Sequence, residues 1–180
     1  MLPRDLRNAQ LSAQLSAQLN HASQLGTSGQ LGRAGGLIGD PDLNAAEISV
    51  RLDTGPTDPC IEADRDLLHQ ALLNLIRNAI EAVNESKAGS MTSRVLELGI
   101  RSESDHVVLT VADSGDGIDD ASIDRIFEPF FTTKDPGKGT GLGLSIAYSI
   151  IMDHGGSITC DSEPDKGTTI TFSIPAVGSR

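Results

Sequence analysis

No stretch of the chain approaches the ~20 consecutive apolar residues that a membrane span requires. A secretion signal is missing as well, since Met1 to Asn20 is polar and rich in Gln. Basic residues are scarce, 14 Lys and Arg against 25 Asp and Glu, for a formal net charge of -11. That balance excludes a nonspecific nucleic-acid binder, which needs a basic face. It leaves room for an anionic ligand, because a helix N-terminus and a metal ion neutralise phosphates locally. Cysteine is nearly absent: Cys60 and Cys160 stand far apart and form no metal-binding cluster, so they read as ordinary thiols of a reducing compartment, the cytoplasm. Aromatics are few too, with 4 Phe, 1 Tyr and no Trp. What remains, 38% hydrophobic and 22% charged over 180 residues, suits one globular domain with a single core and some tail.

The N-terminal stretch repeats Leu-Ser-Ala-Gln between Leu11 and Gln18, which puts Leu11, Leu15 and Leu19 on one helical stripe. A helix over about Asp5–Ser23 is one reading and a frayed leader is the other. Gly26 to Gly39 reads as a Gly-rich loop or insertion. The domain proper is expected over residues 47–176, after a leader of 1–46 and before a tail of 177–180. Ile48, Val50 and Leu52 alternate with polar residues as a strand does. A helix follows over Leu67 to about Val83, with Asp66 as its expected cap. Val95–Arg101 and Val107–Ala112 read as antiparallel strands, and Asp113 to Gly139 as a long loop. A second helix is expected from near Gly141 to the Gly155-Gly156 stop, then a hairpin of Ser157–Cys160 and Thr168–Ile174. The expected class is α+β, with helices layered on one face of a mostly antiparallel sheet.

Within this frame four stretches carry chemistry. On the first helix, Asn74 and Asn78 stack one turn apart, with Arg77 and Glu81 beside them. Such a line is often just a solvated face. Here Leu73 and Ile80 flank it, and a carboxamide oxygen in such a place can ligate Mg²⁺, a hard cation that takes oxygen ligands. Asp113-Ser114-Gly115-Asp116-Gly117-Ile118 directly follows a strand. Its glycines permit close backbone approach to a ligand, and Asp113 can accept from an exocyclic amine such as that of adenine. A plain Asp-Gly turn is the competing reading. The third stretch, Ile126 to Lys134, gathers Phe127, Phe130 and Phe131 in one loop, which suits a lid docking a small apolar patch as well as three core anchors. The fourth, Gly137 to Ser145, opens the second helix, where bare backbone N–H groups and the helix dipole favour phosphate.

In order and spacing these four stretches resemble the GHKL ATP-binding superfamily, and within it the catalytic domain of bacterial sensor histidine kinases. Asn-Leu-Ile-Arg-Asn-Ala is similar to that family's N box, Asp-Ser-Gly-Asp-Gly-Ile to its G1 box, Phe-Glu-Pro-Phe-Phe to its F box and Gly-Thr-Gly-Leu-Gly-Leu to its G2 box. The likeness runs from about Ile48 to Pro175. It implies the Bergerat fold, a two-layer α/β sandwich, and an ATP·Mg²⁺ site. Asn78 would hold the metal, with Asn74, the other expected catalytic residue, and Arg77 near the triphosphate. Asp113 would read the adenine amine in a base pocket of Gly115, Gly117 and Ile118, with Thr168 nearby. Phe131, Thr132, Thr133 and Lys134 would belong to the lid, and Gly139, Thr140, Gly141, Leu142, Gly143 and Leu144 would line the phosphates.

The resemblance also implies partners: a dimerisation domain carrying the phosphoacceptor histidine, and a response regulator downstream. The isolated chain is expected to be a monomer that contacts neither membrane nor nucleic acid. Two departures stand out. Glu81 occupies a position where many members carry a phosphate-binding Lys, leaving Arg77, Lys134 and Lys138 as candidate cations. No acceptor box is visible, since His21 is followed by Ala-Ser-Gln, so the domain carrying that histidine is expected to lie outside the chain. Rival functions are a gyrase-like ATPase, an anti-sigma-type serine kinase and a non-catalytic nucleotide-binding module. The ATPases place at position 74 a Glu that can deprotonate water, which Asn cannot do.

Overall fold

The structure, a computed structural model, describes residues 32–33, 48–54, 60–86, 94–134 and 139–177. The expected helix over Asp5–Ser23, most of the Gly26–Gly39 stretch, Lys138 and residues 178–180 lie outside them. In chain order the elements are β1 (Gly32–Arg33), β2 (Ser49–Thr54), α1 (Arg65–Glu85), β3 (Val95–Glu103), β4 (His106–Asp113), α2 (Asp120–Ile123), α3 (Gly143–Asp153), β5 (Ser157–Glu163) and β6 (Gly167–Pro175). The sheet runs β1-β2-β3-β4-β6-β5. Only β2 and β3 are parallel, joined by the crossover through α1; every other pairing is antiparallel.

Alternation along the strands decides which face is covered. Val50 and Leu52 on β2, Leu96 and Leu98 on β3, Val111 on β4 and Ile170, Phe172 and Ile174 on β6 turn toward the helices. On the opposite face Arg51 and Glu97, register partners, stay exposed and form an ion pair at 2.6 Å. Helix α1 buries Leu68, Ala71, Leu75, Ile76, Ala79, Ile80 and Val83, the stripe that a 3.6-residue period dictates. Helix α3 contributes Ala147, Ile150 and Ile151 to the same core. A fully buried side chain such as Leu75, 1% exposed, or Ile151, 0%, is worth about 2–3 kcal/mol of transfer from water. This shared core fixes α1 beside α3, and the cleft opens between them.

Four local expectations are corrected. The α1 cap is Asp64, whose carboxylate accepts from the N–H groups of Asp66 and Leu67; Asp66 lies inside the first turn. Asp113 to Gly139 is interrupted by α2, a single turn capped by Asp119. Strand β5 runs on to Glu163 rather than stopping at Cys160, because the hairpin pairs out to Glu163 and Gly167. Gly32 and Arg33, expected in a loop, pair antiparallel with Val50 and Ser49. The α3 stop falls where expected, with Gly155 and Gly156 donating back to Met152 and Ile151. Among the described residues no helix is long and apolar enough to cross a membrane.

Candidate functional site

A cleft of about 1020 Å³ runs between α1, the ends of β4 and β6, the 131–134 segment and the start of α3. One wall is the polar line of α1. Asn74, Arg77, Asn78 and Glu81 all face the cleft, joined by Ala82 and Glu85. The Asn74 side chain is half-buried, and its Nδ2 is enclosed with no hydrogen-bond partner among the described residues. Such an orphan costs about 1–3 kcal/mol, so its partner is to be sought in an ordered water or a bound molecule.

Opposite Asn78 lies the first turn of α3. A Cβ added to Gly143 would sit 3.5 Å from Asn78 Nδ2 and 3.7 Å from its Oδ1, so the bare glycine leaves the carboxamide open to the helix start. That start has no side-chain cap, its N-cap position being Leu142. Uncapped N–H groups and the positive end of the dipole converge there with a carboxamide. The set suits an anion accompanied by a hard cation. Among the described residues no group of three His, Cys, Asp or Glu side chains can hold a metal ion. A Mg²⁺ at Asn78 would therefore draw its other oxygens from phosphates and water, its usual habit.

The far end of the cleft is the mouth of β4. Asp113 closes the strand, and its carboxylate accepts from Gly115 N at 2.8 Å and from the Thr168 backbone N–H. Burial nevertheless pushes its carboxyl up to about 6, outweighing both N–H groups, which favour the charged form. Two glycines make the turns of this site possible for reasons internal to the chain. At Gly117 (φ +72) a Cβ would strike the Glu163 carbonyl oxygen at 2.2 Å; at Gly141 (φ +65) it would lie 2.5 Å from the Phe130 carbonyl carbon. Their lack of side chains first admits neighbouring backbone, where the sequence suggested a ligand.

Residues 63–178 match the family described as "Histidine kinase-, DNA gyrase B-, and HSP90-like ATPase". The chain belongs to that family. It is 41% identical over 134 residues to the sensor histidine kinase ZraS of Escherichia coli strain K12, a match covering 74% of this chain and 27% of that protein. It thus spans about a quarter of that relative's length. The catalytic domain of histidine kinase ThkA superposes with a TM-score of 0.67 at 31% identity, over 89% of this chain and 91% of that one. Full-length ShkA, solved in complex with AMPPNP, gives a TM-score of 0.66 at 26% identity, over 90% of this chain and 30% of that one. Fold class and superfamily are therefore as the four motifs indicated, and the domain is of the histidine-kinase ATP-binding type.

The residues singled out in sequence converge on the cleft of this ATPase-family domain. Asn74, Arg77, Asn78, Asp113, Gly117, Ile118, Phe131, Thr132, Thr133, Lys134, Gly139, Thr140, Gly141, Gly143, Leu144 and Thr168 all line it. Gly115 and Leu142 do not. Gly115 abuts the carbonyl of Ala82, where a Cβ would meet backbone at 2.9 Å, and Leu142 directs its carbonyl to Ser145 Oγ and the Ile146 N–H. The three loop phenylalanines form no common patch. Phe127 packs on Tyr148 with ring centroids 5.6 Å apart, Phe131 lies under the Arg125 guanidinium at 4.5 Å, and Phe130 is 75% exposed.

Sequence reasoning missed the acidic rim and one part-buried hydroxyl. Glu85 and Asp116 line the cleft, the latter accepting from Ser86 Oγ. Ser162 sits behind the base end, bonded to Ile118 and Thr168. The α1 periodicity carries Glu85 onto the Asn78 side, a signal present in the sequence, whereas the register that opposes Ser162 to Thr168 comes from the structure. Cys60 and Cys160 are free thiols, half-buried, and burial together with the charges of Asp161 and Asp113 pushes Cys160 up to about 11.

Proposed function

We propose that residues 47–176 are the catalytic domain of a sensor histidine kinase, binding ATP·Mg²⁺ and donating the γ-phosphoryl group to a histidine imidazole on a dimerisation domain of the same kinase. The phosphoryl group would then pass to a response regulator, and the need for ATP puts this work in the cytoplasm. The observation that carries the reading is the pair Asn74 and Asn78 beside the uncapped start of α3, with the Asn74 Nδ2 unpartnered among the described residues. Asn78 would supply a carboxamide oxygen to the metal, Asn74 and Arg77 would meet triphosphate oxygens, and the α3 N–H groups would cradle them. The metal's chemistry is to neutralise charge on the transferring group. The chain's own residues orient the phosphates and exclude water, and positioning of this kind supplies most of what phosphoryl transfer needs.

Hydrolysis by this domain is disfavoured by the acids' own engagements. Asn74 is no base. Glu81 is paired with Lys134 and Asp116 accepts from Ser86. Glu85 stands seven residues beyond Asn78 on α1, about 10 Å along the axis and toward the base end. The test is transfer of radiolabel from ATP to a separately made dimerisation domain of the parent protein. Acid-labile label on that partner, with little label and slow phosphate release from this chain alone, is the expected outcome. Acid-stable label on the isolated chain would instead identify a serine kinase, and rapid phosphate release a hydrolase.

A further inference from the structure

Ser162 lies outside the cleft, yet its hydroxyl touches three groups of the base end. On β5 it is the register partner of Thr168 on β6, directly beside the hairpin turn, so both side chains rise on the same face. Its Oγ stands 2.9 Å from the Ile118 backbone N, 2.8 Å from the Gly167 carbonyl oxygen and 2.9 Å from Thr168 Oγ1. A serine hydroxyl has one hydrogen and two lone pairs. The Ile118 N–H can only donate and the Gly167 carbonyl can only accept. The single Ser162 proton therefore goes to Gly167, and one lone pair receives Ile118. The remaining lone pair receives the Thr168 hydroxyl hydrogen. Every capacity of Ser162 is used, and turning its hydrogen to Thr168 instead would set its lone pair against the Gly167 carbonyl oxygen at 2.8 Å.

The consequence falls on Thr168, which is 7% exposed and lines the cleft. With its hydrogen committed to Ser162, its oxygen offers the cleft lone pairs only. Asp113, its register partner on β4, presents a second acceptor, and the Thr168 backbone N–H already serves that carboxylate. Two neighbouring acceptors welcome a donor such as an amino group. A keto oxygen in the same place faces two lone-pair surfaces and finds no hydrogen. Ser162 also pins Ile118, so the wall beside these acceptors cannot shift to relieve the clash.

We infer that Ser162 is a positioning residue for nucleotide selection: by holding the Thr168 hydroxyl as an acceptor, it makes the cleft prefer a 6-amino purine over a 6-oxo purine. The inference rests on the nucleotide reading given above. It adds a residue that touches no ligand and would act wholly through Thr168 and Ile118. Removing Ser162 frees the Thr168 hydroxyl to turn and donate to a keto group.

The test compares ATP with inosine triphosphate, which carry the same phosphates and differ at the 6-position, by calorimetric titration of the full chain with Mg²⁺. The parent is expected to favour ATP by at least about tenfold. In Ser162→Ala the ATP affinity should fall by about tenfold and the inosine triphosphate affinity by less than about threefold, collapsing the ratio. Ser162→Thr, which keeps the hydroxyl, should restore it. A folded Ser162→Ala whose ratio stays within about twofold of the parent's overturns the inference, because simple loosening of the fold weakens both nucleotides alike. Ser162→Cys, near in size and weaker in hydrogen bonding, carries the same expectation of a reduced ratio should the alanine variant fail to fold. A parent that binds neither nucleotide would remove the nucleotide reading, and this inference with it; binding of both with an unmoved ratio would remove this inference alone.

Discussion

The ammonium of Lys134 is paired with the carboxylate of Glu81, across a sequence separation of 53 residues, and both side chains line the cleft. The Lys134 side chain is the more enclosed, 22% exposed against 50% for Glu81, and its stem passes 3.4 Å from where a Gly139 Cβ would be. Glu81 is the residue that departs from the pattern of a phosphate-binding lysine on α1. The pairing sets a cation of the opposite segment against that acid, inside the cleft.

Lys134→Ala should therefore weaken ATP binding by about five- to tenfold, since a phosphate contact of this kind contributes about 1 kcal/mol at a partly exposed site. Glu81→Gln should change it by no more than about threefold in either direction, because losing the positioning of Lys134 offsets losing a nearby negative charge. A charge swap, Glu81→Lys with Lys134→Glu, should recover most of the affinity. Calorimetry of the three variants checks this; a Lys134→Ala variant that binds as the parent does would show the lysine to serve the protein's own surface only.

Asn78→Ala should lower ATP affinity by at least about tenfold when Mg²⁺ is present and by much less once a chelator removes it. The side chain is only half-buried, so melting temperature should move little. Equal losses with and without Mg²⁺ would count against Asn78 as the metal's ligand and leave it a phosphate contact.

How legible all this was depended on the range of the interaction. The four motifs are local in sequence, one in the middle of α1, one at the end of β4, one in the turns after α2 and one at the start of α3, so their order alone announced the cleft. Ser162 was lost because ending β5 at Cys160 hid the register that opposes it to Thr168, and hairpin register depends on where the turn begins. The α1 cap went to Asp64 over Asp66 through the path by which the chain enters the helix, which two aspartates two residues apart do not reveal. The Glu81–Lys134 pair is a tertiary fact with no local signature. The phenylalanines misled for the opposite reason: clustered in sequence, they are sent to three surroundings by the turns between them.

Asp113 makes the site sensitive to pH in two opposed ways. Its folded carboxyl titrates at about 6, above the ordinary 3.8, so the folded state binds this proton more tightly than the unfolded one does. Its contribution to stability is whole below 3.8 and is lost as pH rises through about 6. Asp113→Asn, which keeps an oxygen for Gly115, should gain on the parent by about 1 kcal/mol in denaturant titrations between pH 4 and pH 7. Nucleotide binding runs the other way, because an amine donor prefers the carboxylate. Parent ATP affinity should fall between pH 7 and pH 5 more steeply than that of Asp113→Asn, the shared titration of the phosphates cancelling in the comparison. Parallel slopes in the two proteins would take Asp113 out of base recognition.

Phe130 holds a left-handed backbone, φ 68, while its ring is 75% exposed. For a bulky residue that conformation costs about 1–2 kcal/mol, and here no burial of the ring offsets it. The backbone is locked there by its own N–H bond to the Gly141 carbonyl at 2.9 Å and by the close crossing of the Phe130 carbonyl over Gly141. Replacing the side chain leaves both constraints in place. Phe130→Gly should consequently hold the parent's stability or raise it by about 1 kcal/mol, after the extra chain entropy of glycine is set against relief of strain. Phe131→Gly should do the reverse, losing the Arg125 stack and a cleft wall, with a cost of about 2 kcal/mol or more. Thermal melts of the two variants decide the point. Should Phe130→Gly melt well below the parent, the ring must pack against something within the chain, and the strain at this position has a structural cause. Should it melt at or above the parent yet transfer phosphate poorly to the dimerisation domain, the ring is kept for that partner at the expense of the fold.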